Sequence, residues 1–163
     1  MVLHDLRRTG YRIPAELRRV GWRVLEDDWY GPLHPDRQPP SVASIEDLVS
    51  HLRLLPARSF RERSISGHER HRRAVEHPWF PLGAMTALAL CKSYGSEAAW
   101  WPRAEHGPVQ CIYFDGTLLR EPGGQSCIIA IGPGPFGSLR WYPEALRVAC
   151  GPAYDFSAFC APG

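Results

Sequence analysis

The chain has 163 residues, 44% hydrophobic and 22% charged, with a net charge of only +2. That length fits one domain able to bury a sizeable core without staples, and the composition argues against disorder. No apolar run approaches the roughly 20 residues that cross a bilayer, and Met1 to Gly10 lacks the apolar centre of a signal peptide, so cytoplasmic residence without a membrane partner is expected.

Pro14 can open a helix that Ala15 to Val20 continue and Gly21 ends, with Trp22 to Leu25 leaving as a strand. A single longer helix from Pro14 to Trp29 fits the same residues. Gly31 to Pro40 holds four prolines and reads as a loop. Ser44 to Leu55 is the clearest helix: Ser44 and Asp47 form a capping-box-like pair, and Ile45, Leu48, Val49, Leu52 and Leu55 follow the 3.6-residue period until Pro56. Ser66 with Glu69 can cap a short polar helix running through Glu76. After an aromatic turn from His77 to Pro81, Leu82 to Tyr94 reads as a helix apolar nearly all round, ended by Gly95.

The second half changes character. Val109 to Phe114 alternates and meets Asp115-Gly116, the dipeptide of a two-residue hairpin, so Thr117 to Arg120 is expected to return as the partner strand. Glu121 to Gly124 turns the chain again. Cys127 to Ile131 is wholly apolar, as a central strand would be; Ser138 to Tyr142 and Leu146 to Cys150 complete the set. Helices first and strands second predict an α+β fold, with N-terminal helices packed on a C-terminal antiparallel meander sheet. One domain, 1–163, is expected, with 1–95 mainly helical and 96–163 mainly β. The front part includes the proline-rich loop 31–40 and a basic connector, 53–73.

That connector is the most distinctive segment. Arg53 to Arg73 carries seven arginines and two histidines against Glu62 and Glu69 alone. Eighteen of the chain's nineteen basic residues are arginine, Lys92 being the exception, a bias that a GC-rich coding sequence would also produce. Read as a solvated face, Arg58, Arg61, Arg63, Arg70, Arg72 and Arg73, flanked by Trp79, Trp100 and Trp101, have the composition of a protein-binding hot spot. Trp100 and Trp101 are consecutive, so on a strand they face opposite sides. The same arginines, Arg58 to Arg73, could neutralise phosphates while the aromatics stack on bases, which makes nucleic acid the alternative partner.

Other chemistry has less support. His68 and His71 would share a helix face and, with His77, form the weak metal candidates, but the run lacks the HExxH order and four nearby guanidiniums repel a divalent cation. The five cysteines are widely spaced without a CxxC pair, so reduced, buried thiols are expected. Cys91 or Cys111 with His106 or His77 would be the pairing for a small hydrolase, yet neither cysteine stands at a helix start that would favour a thiolate. Glu26-Asp27-Asp28 reads as a turn. In Gly132 to Gly137 the prolines remove the N–H groups that a phosphate-cradling loop needs. No cofactor is expected.

Leu17 to Leu25 (LRRVGWRVL) resembles the opening of several α/β nucleases, but the acidic-lysine pattern that should follow is missing and that activity is not implied. Leu55-Pro56 to Gly67, Ile131-Gly132 and Phe156 to Phe159 are similar in order to landmarks of a class of immunity domains, which implies a toxin-neutralising binder. The expected function is thus a non-enzymatic protein-binding or regulatory factor of immunity or inhibitor type.

Overall fold

The computed structural model describes residues 21–27, 45–94, 103–104, 107–134, 138–150 and 155–161. The expectations for a helix at 14–20, the loop 31–40, Trp100, Trp101 and His106 lie outside them. Eleven strands and three helices are described: β1 (Arg23–Asp27), α1 (Ile45–His51), β2 (Leu52–Pro56), β3 (Ile65–Ser66), α2 (Gly67–Glu76), β4 (Phe80–Pro81), α3 (Ala84–Tyr94), β5 (Arg103–Ala104), β6 (Gly107–Pro108), β7 (Cys111–Arg120), β8 (Ser126–Pro133), β9 (Leu139–Ala145), β10 (Ala149–Cys150) and β11 (Asp155–Cys160). The fold is α+β. A seven-stranded sheet runs β2-β11-β7-β8-β9, with β1 added to β7 and β4 to β11; β3 pairs with β10, and β5 with β6.

The sheet is mixed rather than an antiparallel meander. β7, β8 and β9 do run antiparallel in succession, but β11 joins β7 in parallel, and β2 pairs antiparallel with β11 along its length. A parallel neighbour cannot be reached by a tight turn, so the C-terminal strand returns across the sheet to enter between β7 and β2. The front half therefore supplies strands β1, β2 and β4 as well as helices.

Side chains alternate between two buried layers. Ile112 and Phe114 of β7, Ile129 and Ile131 of β8, and Ala158 and Cys160 of β11 pack with Leu48 of α1 and Ala84, Ala87 and Leu90 of α3. On the opposite face Cys111, Tyr113, Ile128 and Ala130 meet Ala57, Ile65 and Leu146. With both faces covered, Cys127 to Ile131 needs no polar alternation, which is why an unbroken apolar run forms a strand between two others.

Three local expectations are corrected. The helix begun at Ile45 ends at His51, because Ser50 Oγ and His51 Nδ1 both bond the Asp47 carbonyl, and side-chain bonds of this kind compete with helix continuation. Leu52 to Pro56 then pairs with β11 instead. The long-helix alternative through Trp29 also fails, since Arg23–Asp27 is a strand. Leu146 to Cys150 yields only the short strand β10 after a turn.

The largest correction concerns Asp115-Gly116, which makes no hairpin. β7 runs through it as one ten-residue strand, with a wide irregularity: Phe114 stands opposite Ile129 and Leu119 opposite Cys127. The bulged residues have other partners. Gly116 N–H donates to the Leu82 carbonyl (3.0 Å), and Thr117 Oγ1 accepts from Ala84 N–H (3.1 Å), satisfying a donor at the start of α3. Asp115 points to the other face, towards α2. The segment thus ties a helix to each side of the sheet.

Helix α2 begins as its capping residues predict, with Ser66 Oγ accepting from Glu69 N–H at 3.1 Å. Gly67 and His68 N–H donate to the carbonyls of Val148 and Leu146, both at 3.0 Å, so the start of α2 is closed by the 146–148 turn. A Cβ at Gly67 would lie 2.7 Å from the Leu146 oxygen and 2.8 Å from its Cα, both backbone atoms. Gly67→Ala is therefore expected to destabilise by about 1–3 kcal/mol through overpacking, read as a lowered urea midpoint.

Candidate functional site

The structure divides the arginine-rich stretch into a loop, 57–64, and the helix α2 that follows β3. Ala57 anchors the loop: it is buried, and its N–H continues the β2–β11 ladder to the Asp155 carbonyl at 2.8 Å. Arg58 donates to the carbonyls of Ser59 and Glu62, while Ser59 N–H donates to Glu62 Oε2 at 2.8 Å. Arg73 of α2 then grips the Glu62 carboxylate with both terminal nitrogens, at 2.8 and 2.6 Å. The loop is fixed at both ends and at its middle. Its apex is not covered: Phe60 is 89% exposed, with the Arg61 guanidinium 5.4 Å from its ring centroid. Arg61 and Arg63 are exposed and join no ion pair among the described residues.

Along α2 the charges are matched internally. Arg72 donates to Glu69 at 2.8 and 2.7 Å and also to Glu76, and Arg73 reaches Glu69 at 2.7 Å. Hydrogen bonds from Arg73 and from Ser59 N–H hold the Glu62 carboxyl down at about 2; those from Arg72 and Arg73 do the same for Glu69. Arg72 and Arg73, in turn, are pushed above the usual guanidinium value by the same hydrogen bonds.

Arg70 departs most from the expected solvated face. Gly67, Arg70 and Ala74 share the buried side of α2, and Arg70 is 1% exposed. Its guanidinium lies 3.7 Å from the centroid of the Tyr113 ring, and Nε donates to Asp115 Oδ1 at 3.1 Å. Asp115, equally buried, also accepts from Ser157 Oγ at 2.8 Å, with His71 Nδ1 3.8 Å away. Tyr113 O–H donates to Asp155 Oδ2 at 3.1 Å. Burial alone would push the Asp115 carboxyl up, but Arg70, His71 and Ser157 together hold it below the ordinary carboxylate value. Burial keeps Asp155 and Glu144 above theirs, against the pull of Arg70. Arg70 thus belongs to a buried polar centre and not to the exposed surface.

This centre does not have the order of a nucleophilic triad. Ser157 donates directly to the carboxylate, whereas a serine nucleophile needs a histidine between itself and the acid. What the arrangement does is tie α2 to β7 and β11. None of Asp115, Tyr113, Asp155 or Ser157 is a site residue by sequence reasoning. The available signal was an aspartate inside or beside an apolar strand, at Asp115 and Asp155, and turn chemistry masked the first.

The remaining candidates are dispersed. Trp79 is half-buried, its backbone N–H donating to His77 Nδ1 at 3.0 Å and its ring meeting that imidazole edge-on at 5.3 Å. His77 also packs on Phe159, ring centroids 4.7 Å apart. His68 is exposed in the first turn of α2, and His71 faces Asp115. Among the described residues no three His, Cys, Asp or Glu side chains are grouped to hold a metal. Burial pushes the Cys111 thiol up to about 12 and those of Cys91 and Cys127 to about 11, away from the thiolate that cysteine catalysis requires. Cys111 lies 3.2 Å from the Tyr142 hydroxyl, and no bond from it to a histidine occurs among the described residues. No described helix is long and apolar enough to cross a membrane. Comparison with known families, with characterised proteins and with solved structures gives no match.

Proposed function

We propose that this chain is a non-enzymatic protein-binding or regulatory factor of immunity or inhibitor type, working in the cytoplasm and contacting its partner through loop 57–64. One observation carries the reading: a phenylalanine 89% exposed at the apex of a loop braced by internal hydrogen bonds and an ion-pair clasp. An exposed aromatic beside arginines has hot-spot composition, and a loop already held in shape loses less entropy on docking. Of the arginines expected at the surface, Arg61 and Arg63 remain the contact-making pair. Arg58, Arg72 and Arg73 hold the loop and helix in shape, and the half-buried Trp79 adds to the flank.

Phe60→Ala tests this. Retention of a specific partner from host lysate on the immobilised full chain is expected to fall at least tenfold, with thermal stability unchanged because the side chain packs against little. Equal retention by the variant would remove the loop from the interface. Nucleic acid is the second reading, favoured by Phe60 as a stacking platform beside Arg61. It requires affinity for single-stranded RNA or DNA that weakens steeply with salt.

A further inference from the structure

Two exposed large hydrophobics occur among the described residues, Phe60 and Val148, the latter 45% exposed. Each has an exposed arginine next to it, Arg61 and Arg147. They come from distant parts of the sequence, yet both flank one ribbon: loop 57–64 leads into β3, β3 pairs with β10, and at the far end of β3 the Val148 carbonyl accepts from Gly67 N–H at 3.0 Å. The loop's only carboxylate, Glu62, is taken up by Arg73. The surface around the β3–β10 ribbon therefore repeats one combination, an apolar side chain next to a guanidinium that has no carboxylate partner among the described residues.

We infer that the occupant of this surface is a protein whose apolar cleft, filled by Phe60 and extended over Val148, is rimmed by carboxylates that pair with Arg61, Arg63 and Arg147. This rests on the protein-binding reading and names the partner's chemistry. Guanidinium and carboxylate match as planar, bidentate partners, and complementary charge steers encounter as well as fixing register. A polynucleotide fits less well. It gains affinity by neutralising a run of phosphates, but of the guanidiniums that follow along the chain, Arg70 is buried against Asp115, and Arg72 and Arg73 are already bound to Glu62, Glu69 and Glu76.

The test places the photocrosslinker p-benzoylphenylalanine at position 60 of the full chain, and separately at position 148, in host cells. The adducts are then digested and the attached segment mapped. The expected result is a protease-sensitive adduct whose mapped segment carries two or more Asp or Glu around apolar residues. Its yield should drop at least tenfold in Arg61→Glu/Arg63→Glu, and by a smaller factor in Arg147→Glu, with circular dichroism unchanged. A protein adduct on a segment without acids, or one indifferent to charge reversal, overturns the acidic cleft while leaving the protein-binding reading in place. A nuclease-sensitive adduct overturns both and favours nucleic acid. No adduct from either position overturns the surface itself.

Discussion

Asp115→Ala is expected to lower the free energy of unfolding by about 3–5 kcal/mol, read from urea denaturation at pH 7. Removing one member of a buried ion pair leaves the other charge in a low-dielectric setting without its partner, and costs of that order follow. Here the abandoned group is Arg70, 1% exposed, which would keep the Tyr113 ring beneath it but lose its carboxylate. Ser157 would lose its acceptor as well. Arg70→Met, Asp115→Leu and Ser157→Ala combined should cost far less than Asp115→Ala alone, since they remove the guanidinium and the hydroxyl together with their carboxylate instead of leaving those two donors buried without it. If the triple variant proves as unstable as the single one, packing and not charge holds α2 to the sheet.

The same centre predicts a pH dependence of definite sign. Asp115 is held below its ordinary value of 3.8, so the folded state keeps it ionised where the unfolded chain would be protonated. Its contribution to stability is complete above that ordinary value and is lost as pH falls towards the lower folded one. Asp115→Asn should flatten this part of the acid limb, while the part owed to Glu62 and Glu69, held at about 2, persists.

Several elements were legible in the sequence because a local rule decided them. Ser66 and Glu69 set the start of α2 and Pro78 closely follows its end; Gly124, with φ of 92°, makes the turn before β8. Cys127 to Ile131 is buried on both faces, as its composition required. Legibility failed where tertiary partners outweighed local chemistry. Asp115-Gly116 has strong turn propensity, but the Arg70 guanidinium and the Leu82 carbonyl recruit it into a bulge, while the adjoining Thr117 takes the Ala84 amide. β11 was missed altogether, although Asp155 to Cys160 lies between β2 and β7, because its pairing is long-range on both sides. The surface was misjudged for a related reason. Charge counting treats seven arginines alike, whereas helical periodicity places Arg70 in the same row as Gly67 and Ala74. A helix reading of 67–76 with its buried face assigned would have removed Arg70 from the exposed set.

Phe114→Ala is the second large effect expected, about 3–5 kcal/mol, from the lost transfer energy of the ring and the cavity it leaves. Phe114 is fully buried, stands opposite Ile129, and packs in the layer of Leu48, Leu82 and Leu90, where helices on one side and strands on the other leave little room to collapse. The residue also precedes the bulge, so its ring helps fix the point at which Asp115 turns to the opposite face. Phe114→Leu should cost less, since it retains most of the volume. The informative control is Phe60→Ala, the same chemical change at a side chain 89% exposed, expected to shift stability by no more than about 0.5 kcal/mol. Denaturation of the two variants side by side separates the ring that holds the fold from the ring that faces a partner. A large loss of stability in Phe60→Ala would mean that loop 57–64 packs against the body of the protein, and a small loss in Phe114→Ala that the layer between α1, α3 and the sheet can close over the gap.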